Sequence, residues 1–176
     1  MRSAFALVSC VAIVALVNYS VVRKERLLEN GSVVYLELAP VDPRSLMQGD
    51  YMALRFKLAN DARPAMKRAD TQEATRSFGF NGSRDLAAAD GRIVAALDDS
   101  SIAQYRRLDD GQPLASKEIY LRYRVREGEI KFATNAFFFQ EGTAKQYELA
   151  RYGEFRVARN GELLLTGLRS ADLRPL

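Results

Sequence analysis

Hydrophobic positions fall into distinct regimes along the chain. Residues 4–22 are almost unbroken apolar sequence, with Arg2 before them and Arg23, Lys24 and Arg26 after. A helix of that length, rising about 1.5 Å per residue, just crosses a hydrocarbon core of roughly 30 Å. From residue 32 the pattern changes to short runs in which apolar and polar residues alternate, the period of a half-buried strand. Residues 32–38 form the first run. After Asp50, Met52, Leu54, Phe56 and Leu58 fall on one face, and Tyr51, Ala53, Arg55 and Lys57 on the other. Further strands are predicted over 92–97 and 102–108, on either side of Asp98-Asp99-Ser100. A hairpin over 118–126 and 129–133 turns at Glu127-Gly128, and a second over 154–157 and 162–168 turns at Asn160-Gly161, a two-residue turn signal.

Between these runs the signals are weaker. Asp42-Pro43 opens a single helical turn and Gly49 closes it. Residues 60–90 are polar and read as the most loop-like region, with partial helicity over 63–78. Phe137-Phe138-Phe139 reads as a short buried run, and 141–151 has helical spacing. Together the pattern predicts a mainly β or α+β fold: an antiparallel β-rich exported domain with one or two short helices, preceded by an N-terminal transmembrane helix. The division is 1–26 for the anchor and its flank, and 27–176 for the domain.

Three readings of the N-terminus compete. A cleaved signal peptide needs a small-x-small site, and Val17-Asn18-Tyr19-Ser20-Val21-Val22 is a poor one. Leu7-Val8-Ser9-Cys10 resembles a lipobox, but too little apolar sequence precedes Cys10 and too much follows it. An uncleaved signal anchor fits best. Its short Arg2 tail stays most easily in the cytoplasm, which places the body in the periplasm or outside the cell, on a bacterial inner membrane. Cys10 is the only cysteine, so the body has no disulfide and depends on its core.

Charge changes the picture once it is located. The chain carries +4, but residues 1–26 hold four basic side chains and one acidic, leaving 22 basic and 21 acidic in the body. That balance demotes nucleic-acid binding, which needs a concentrated basic footprint. Histidine is absent and Cys10 lies in the apolar run, which removes Ser-His-Asp and Cys-His catalysis and the usual zinc ligand sets. Asp98-Asp99 and Asp109-Asp110 lack the spacing of a calcium loop and read as turn acids. No cofactor is implied.

Asp42, Arg44, Gly49, Asp50 and Tyr51 lie in one turn-and-strand unit, with Arg55 on the exposed side of the strand. Arg44 could hold an anion that Asp50 orients, or the same residues could cap and tie down the turn. On the strand over 118–126, Ile119, Leu121, Tyr123 and Val125 should face the core. Tyr120, Arg122, Arg124 and Arg126 then line the opposite face. This stripe could bind acidic headgroups or an acidic partner, or pair across its hairpin with Glu127 and Glu129. Tyr152 and Glu154 could shape a rim.

The block Gly49-Asp50-Tyr51-Met52-Ala53-Leu54-Arg55-Phe56 resembles the GDYXXLXY family of bacterial membrane-associated proteins. Pro40-Val41-Asp42-Pro43-Arg44, Phe138-Phe139-Gln140-Glu141-Gly142 and Tyr147-Glu148 also look like that family, and Glu141 joins the candidate binding residues. The chain departs at Phe56, where the family name has Tyr, so a core role is expected for this ring. The resemblance implies an anchored, exported domain without an assigned activity. It further implies a multi-pass membrane protein as partner. Ser45-Leu46-Met47-Gln48-Gly49-Asp50 is also similar to a stretch of signal peptidases, but the position of their nucleophile is here Val41. A hydrolase would need Ser45, with Lys67 or Lys117 as base. The expectation is therefore a binding or accessory domain, with an envelope hydrolase or an anionic-ligand or glycan module as alternatives.

Overall fold

The computed structural model describes residues 2–39, 47–48, 51–76, 86–134 and 136–176. Among these, three helices and ten strands form an antiparallel β-rich α+β fold. Helix α1 (Arg2–Asn30) runs unbroken through the apolar segment and its basic flank. It stops one residue before strand β1 (Ser32–Glu37), because Gly31 turns the chain where Leu27 O and the Arg156 Cβ leave no room for a side chain.

Strand β1 pairs with β9 (Tyr152–Val157), and β9 with β10 (Leu163–Arg169). A second sheet has the order β5 (Ala103–Leu108), β4 (Ala89–Leu97), β6 (Glu118–Arg126), β7 (Glu129–Lys131). A third is small: β2 (Met47–Gln48), β3 (Tyr51–Ala53) and β8 (Ala136–Phe138). Backbone bonds tie the first two sheets together, from Tyr35 N to Ser101 O at 3.0 Å and from Arg122 N to Gly161 O at 2.8 Å. One hydrophobic core lies between them, with Val34, Leu36, Ile93, Leu121, Phe132, Phe155 and Leu168 fully or almost fully buried. Helix α2 (Lys57–Arg76) packs against β5, β1 and β7, and α3 (Ala144–Tyr147) is a single turn.

Several expectations need correction. Residues 57–76 form one 20-residue helix, earlier in its start and fuller than the partial helicity expected over 63–78, so the helices are not all short. Its buried stripe is narrow, Leu58, Ala62 and Met66 one turn apart, and is masked in sequence by the polar residues around it. Met52, Leu54, Phe56 and Leu58 are all buried as the alternation requires, yet the strand ends at Ala53. Phe138 is not buried: it is 74% exposed. The Asn160-Gly161 connection is a three-residue loop, closed by Ala158 N to Glu162 O at 2.9 Å, with only Gly161 left-handed at φ 84°. Gly161 must also be small, since a Cβ there would lie 3.1 Å from the Tyr120 backbone.

The expected membrane span also changes. Among the described residues no helix is long and apolar enough to cross a membrane. Side chains are described from Val8, and the apolar run from there to Val22 covers only about 22 Å before Arg23, Lys24 and Glu25 follow.

Candidate functional site

Among the described residues, a cleft of about 870 Å³ lies on the outer face of the four-stranded sheet, facing β8 and β10. Its size suits a small-molecule ligand. Register places the residues of its basic wall. Asp90 lies opposite Arg124, Arg92 opposite Arg122, and Arg124 opposite Lys131. Two like-charged pairs therefore face each other across neighbouring ladders, an arrangement that costs stability unless something neutralises it.

The neutralisation is incomplete. Arg92 is drawn aside to Asp109, at 2.8 Å from Nε and 2.6 Å from Nη2, and its guanidinium stacks 4.6 Å over the Tyr120 ring. The Gly111 backbone amide, aided by Arg92, holds the Asp109 carboxyl below its usual range despite some opposing desolvation. Arg124 donates to the Ala133 carbonyl at 3.2 Å, and Lys131 is 3.6 Å from the exposed Glu127. Arg122 is exposed, and its side chain has no hydrogen bond or ion pair with any described residue.

The opposite wall is apolar: Phe137 and Phe138 of β8, and Leu163, Leu164 and Leu165 of β10. At the rim, Glu162 accepts from Lys24 at 3.0 Å and from Arg23, joining the end of α1 to the cleft. Burial pushes the Glu162 carboxyl up, but these two cations outweigh it and the net shift is downward.

The sequence candidates separate in space. Arg122 and Arg124 come together in the cleft, joined by Arg92, Lys131 and Lys24, which the sequence did not single out. Of the expected pairing of the stripe with Glu127 and Glu129, the register keeps Arg126 opposite Glu129, but the ion pairs fall elsewhere: Glu129 is 3.6 Å from Arg55, Glu127 pairs with Lys131, and Arg126 binds Asp90 through both oxygens at 3.0 Å. Tyr123 is half-buried on the core side; burial raises its pKa, and its ring covers Gly91 so closely that a Cβ there would be 2.6 Å from its hydroxyl.

Tyr51 stands opposite Phe138 with ring centroids 5.7 Å apart, and Arg55 is exposed, 3.6 Å from Glu129 and outside the cleft lining. Glu141 is exposed in the turn before α3. Tyr152 opens β9 between Glu37 and Arg169. Nearby, Glu37 accepts from Lys57 at 3.0 Å and raises its pKa. Asp42, Arg44, Gly49, Asp50 and Ser45 lie outside the described residues.

Glu154, expected at a rim, is instead buried beneath β10, where Arg169 Nε donates at 2.6 Å and Thr166 Oγ1 at 2.9 Å. The turn acids serve their own loops: Asp98 Oδ1 accepts from Ser100 N and Ile102 N, and Asp109 Oδ1 from Gly111 N. Lys117 pairs with Asp99 at 2.6 Å. Among the described residues no group of three acidic, histidine or cysteine side chains could hold a metal.

Phe56 decides what the family position does. It is buried, meeting Phe132 at 6.2 Å and Phe155 at 5.5 Å edge-on, so the ring is a core element without need of a phenol. The model of the GDYXXLXY protein family matches residues 13–168. The chain belongs to that family. No curated protein and no solved structure shows a match to this family member.

Proposed function

We propose that this GDYXXLXY protein is a non-catalytic accessory domain held at the bacterial inner membrane by α1, its body outside the cytoplasm, and associated with a multi-pass membrane protein. The observation that carries the reading is the surface of α1. Val8, Val11, Ile13, Val14, Leu16 and Val17 are each more than half exposed and point to every side of the helix. A helix apolar all round belongs in lipid or against other helices. In sequence the run extends back to Ala4, which supplies the length that the described side chains lack for a span. Below it, Leu27 is buried, Arg156 Nη1 donates to Gly31 O at 3.1 Å, and Glu162 holds Arg23 and Lys24. These ties fix the body to the helix, so a body surface would meet its partner at a set height.

The surface favoured for that contact is the Tyr51–Phe138 pair, where a largely exposed aromatic stands beside the family motif. Aromatic side chains of this kind are enriched among residues that dominate interfaces. The test is site-specific photocrosslinking in intact membranes, with the probe at position 138 or at the exposed turn residue Asp110. One multi-pass protein crosslinked from 138 and not from 110, and lost in pull-downs with Phe138→Asp, is the expected result. Equal crosslinking from both positions, or no membrane-protein partner from either, would overturn the reading.

A further inference from the structure

We propose that the cleft binds the phosphate of an anionic phospholipid headgroup, with Arg122, Arg124 and Lys131 as its ligands. Three observations converge on this. Arg122 and Arg124 face Arg92 and Lys131 as like-charged cross-strand pairs, and Arg122 has no partner among the described residues. A phosphate between the two ladders would relieve both repulsions at once, and guanidinium groups bind phosphate through paired, charge-assisted hydrogen bonds. The facing wall is hydrocarbon, formed by Phe137, Phe138 and Leu163 to Leu165. Free phosphate has no use for such a wall, whereas the glycerol and first methylenes of a lipid would lie against it.

The third observation is position. Lys24 lies at the rim, two residues beyond Val22 where the apolar run of α1 ends, about 3 Å further along the helix axis. With α1 in lipid, the cleft sits at headgroup level. This step rests on the membrane reading given above; the chemistry of the two walls does not.

The shared chemistry is a phosphate ester or phosphate ion, and the experiment separates the sources. Full-length chain is reconstituted into nanodiscs of phosphatidylcholine alone, or of phosphatidylcholine with phosphatidylglycerol, and lipids retained on gentle release are counted by native mass spectrometry. Inorganic phosphate is titrated in parallel against both samples. We expect retention of phosphatidylglycerol and about tenfold weaker retention in Arg122→Gln/Arg124→Gln, the loss expected when about 1.4 kcal/mol of charge-assisted binding disappears. Arg106→Gln is the control, because that arginine is exposed on β5 of the same sheet and lies outside the cleft. Equal loss in the control variant would mean unspecific attraction and overturn the site. Phosphate ion binding that fully displaces the lipid preference would overturn the lipid assignment. A chain that fails to enter phosphatidylcholine discs at all refutes the membrane reading; one that enters but shows no preference refutes the cleft alone.

Discussion

Replacing Phe56 tests whether the last position of the family motif acts through packing. The ring is almost wholly buried and makes edge contacts with Phe132 and Phe155. Truncation in Phe56→Ala removes the ring and leaves a cavity that the surrounding sheets cannot close, a cost of about 3–5 kcal/mol. For a chain of this size that lowers Tm by roughly 6–20 °C. Phe56→Leu keeps most of the apolar burial and forfeits the two aromatic contacts, each about 0.5–1.5 kcal/mol, so it should cost roughly 1–3 kcal/mol. The matched comparison is Phe138→Leu, where a ring 74% exposed should change stability by less than about 0.5 kcal/mol. The chain has no tryptophan, so unfolding is followed by far-ultraviolet circular dichroism of the full chain in neutral detergent, against guanidinium and against temperature. If Phe138→Leu destabilises as much as Phe56→Leu, the division of this aromatic set into core and surface is wrong.

Two further outcomes follow from the ion pairs. Glu154→Ala leaves the mostly buried Arg169 without its carboxylate partner and should cost about 2–4 kcal/mol, with Glu154→Gln milder because its carbonyl still accepts from Arg169 and Thr166; denaturant midpoints of the two variants check the order. Glu162→Gln removes the link to Arg23 and Lys24, whose side chains are about half exposed, so at neutral pH the cost should not exceed about 1 kcal/mol. The folded-state pKa of Glu162 is depressed, so its contribution is complete above the ordinary glutamate value of 4.5 and disappears as pH falls through the lower folded value. Thermal melts of wild type and Glu162→Gln should therefore differ at pH 7 and converge in acid; a gap that widens on acidification would contradict the assignment.

What the sequence by itself determined is local. Short runs of strand-forming residues between turn signals placed β1, β4, β5, β6, β9 and β10 near their observed limits, although β4 and β9 bury three consecutive residues and do not alternate. Glu127-Gly128 marked its hairpin, since both residues adopt positive φ there. The departure at Phe56 pointed to a core ring. The motif block also led to the family. Helix α2 was legible only in part, as partial helicity over 63–78, because its described buried stripe is one residue wide, Leu58, Ala62 and Met66 among polar neighbours, and packing against β5 is what makes it a helix face. The exposure of Phe138 was invisible, because a run of three aromatics looks the same whether or not another strand covers it.

The site belonged to the tertiary structure. Arg122 and Arg124 were visible as a stripe along one strand, but the stripe acquires meaning only when Arg92 and Lys131 arrive from β4 and β7 on the same face. Strand β4 lies some thirty residues upstream, and no local period reveals that Arg92 stands opposite Arg122. The apolar wall comes from β8 and β10 downstream, and the rim lysine from α1, with β10 and α1 further away in sequence than β4. Side-chain chemistry is written residue by residue. Which charges must share one low-lying face is decided by strand register, and register is a property of the whole sheet.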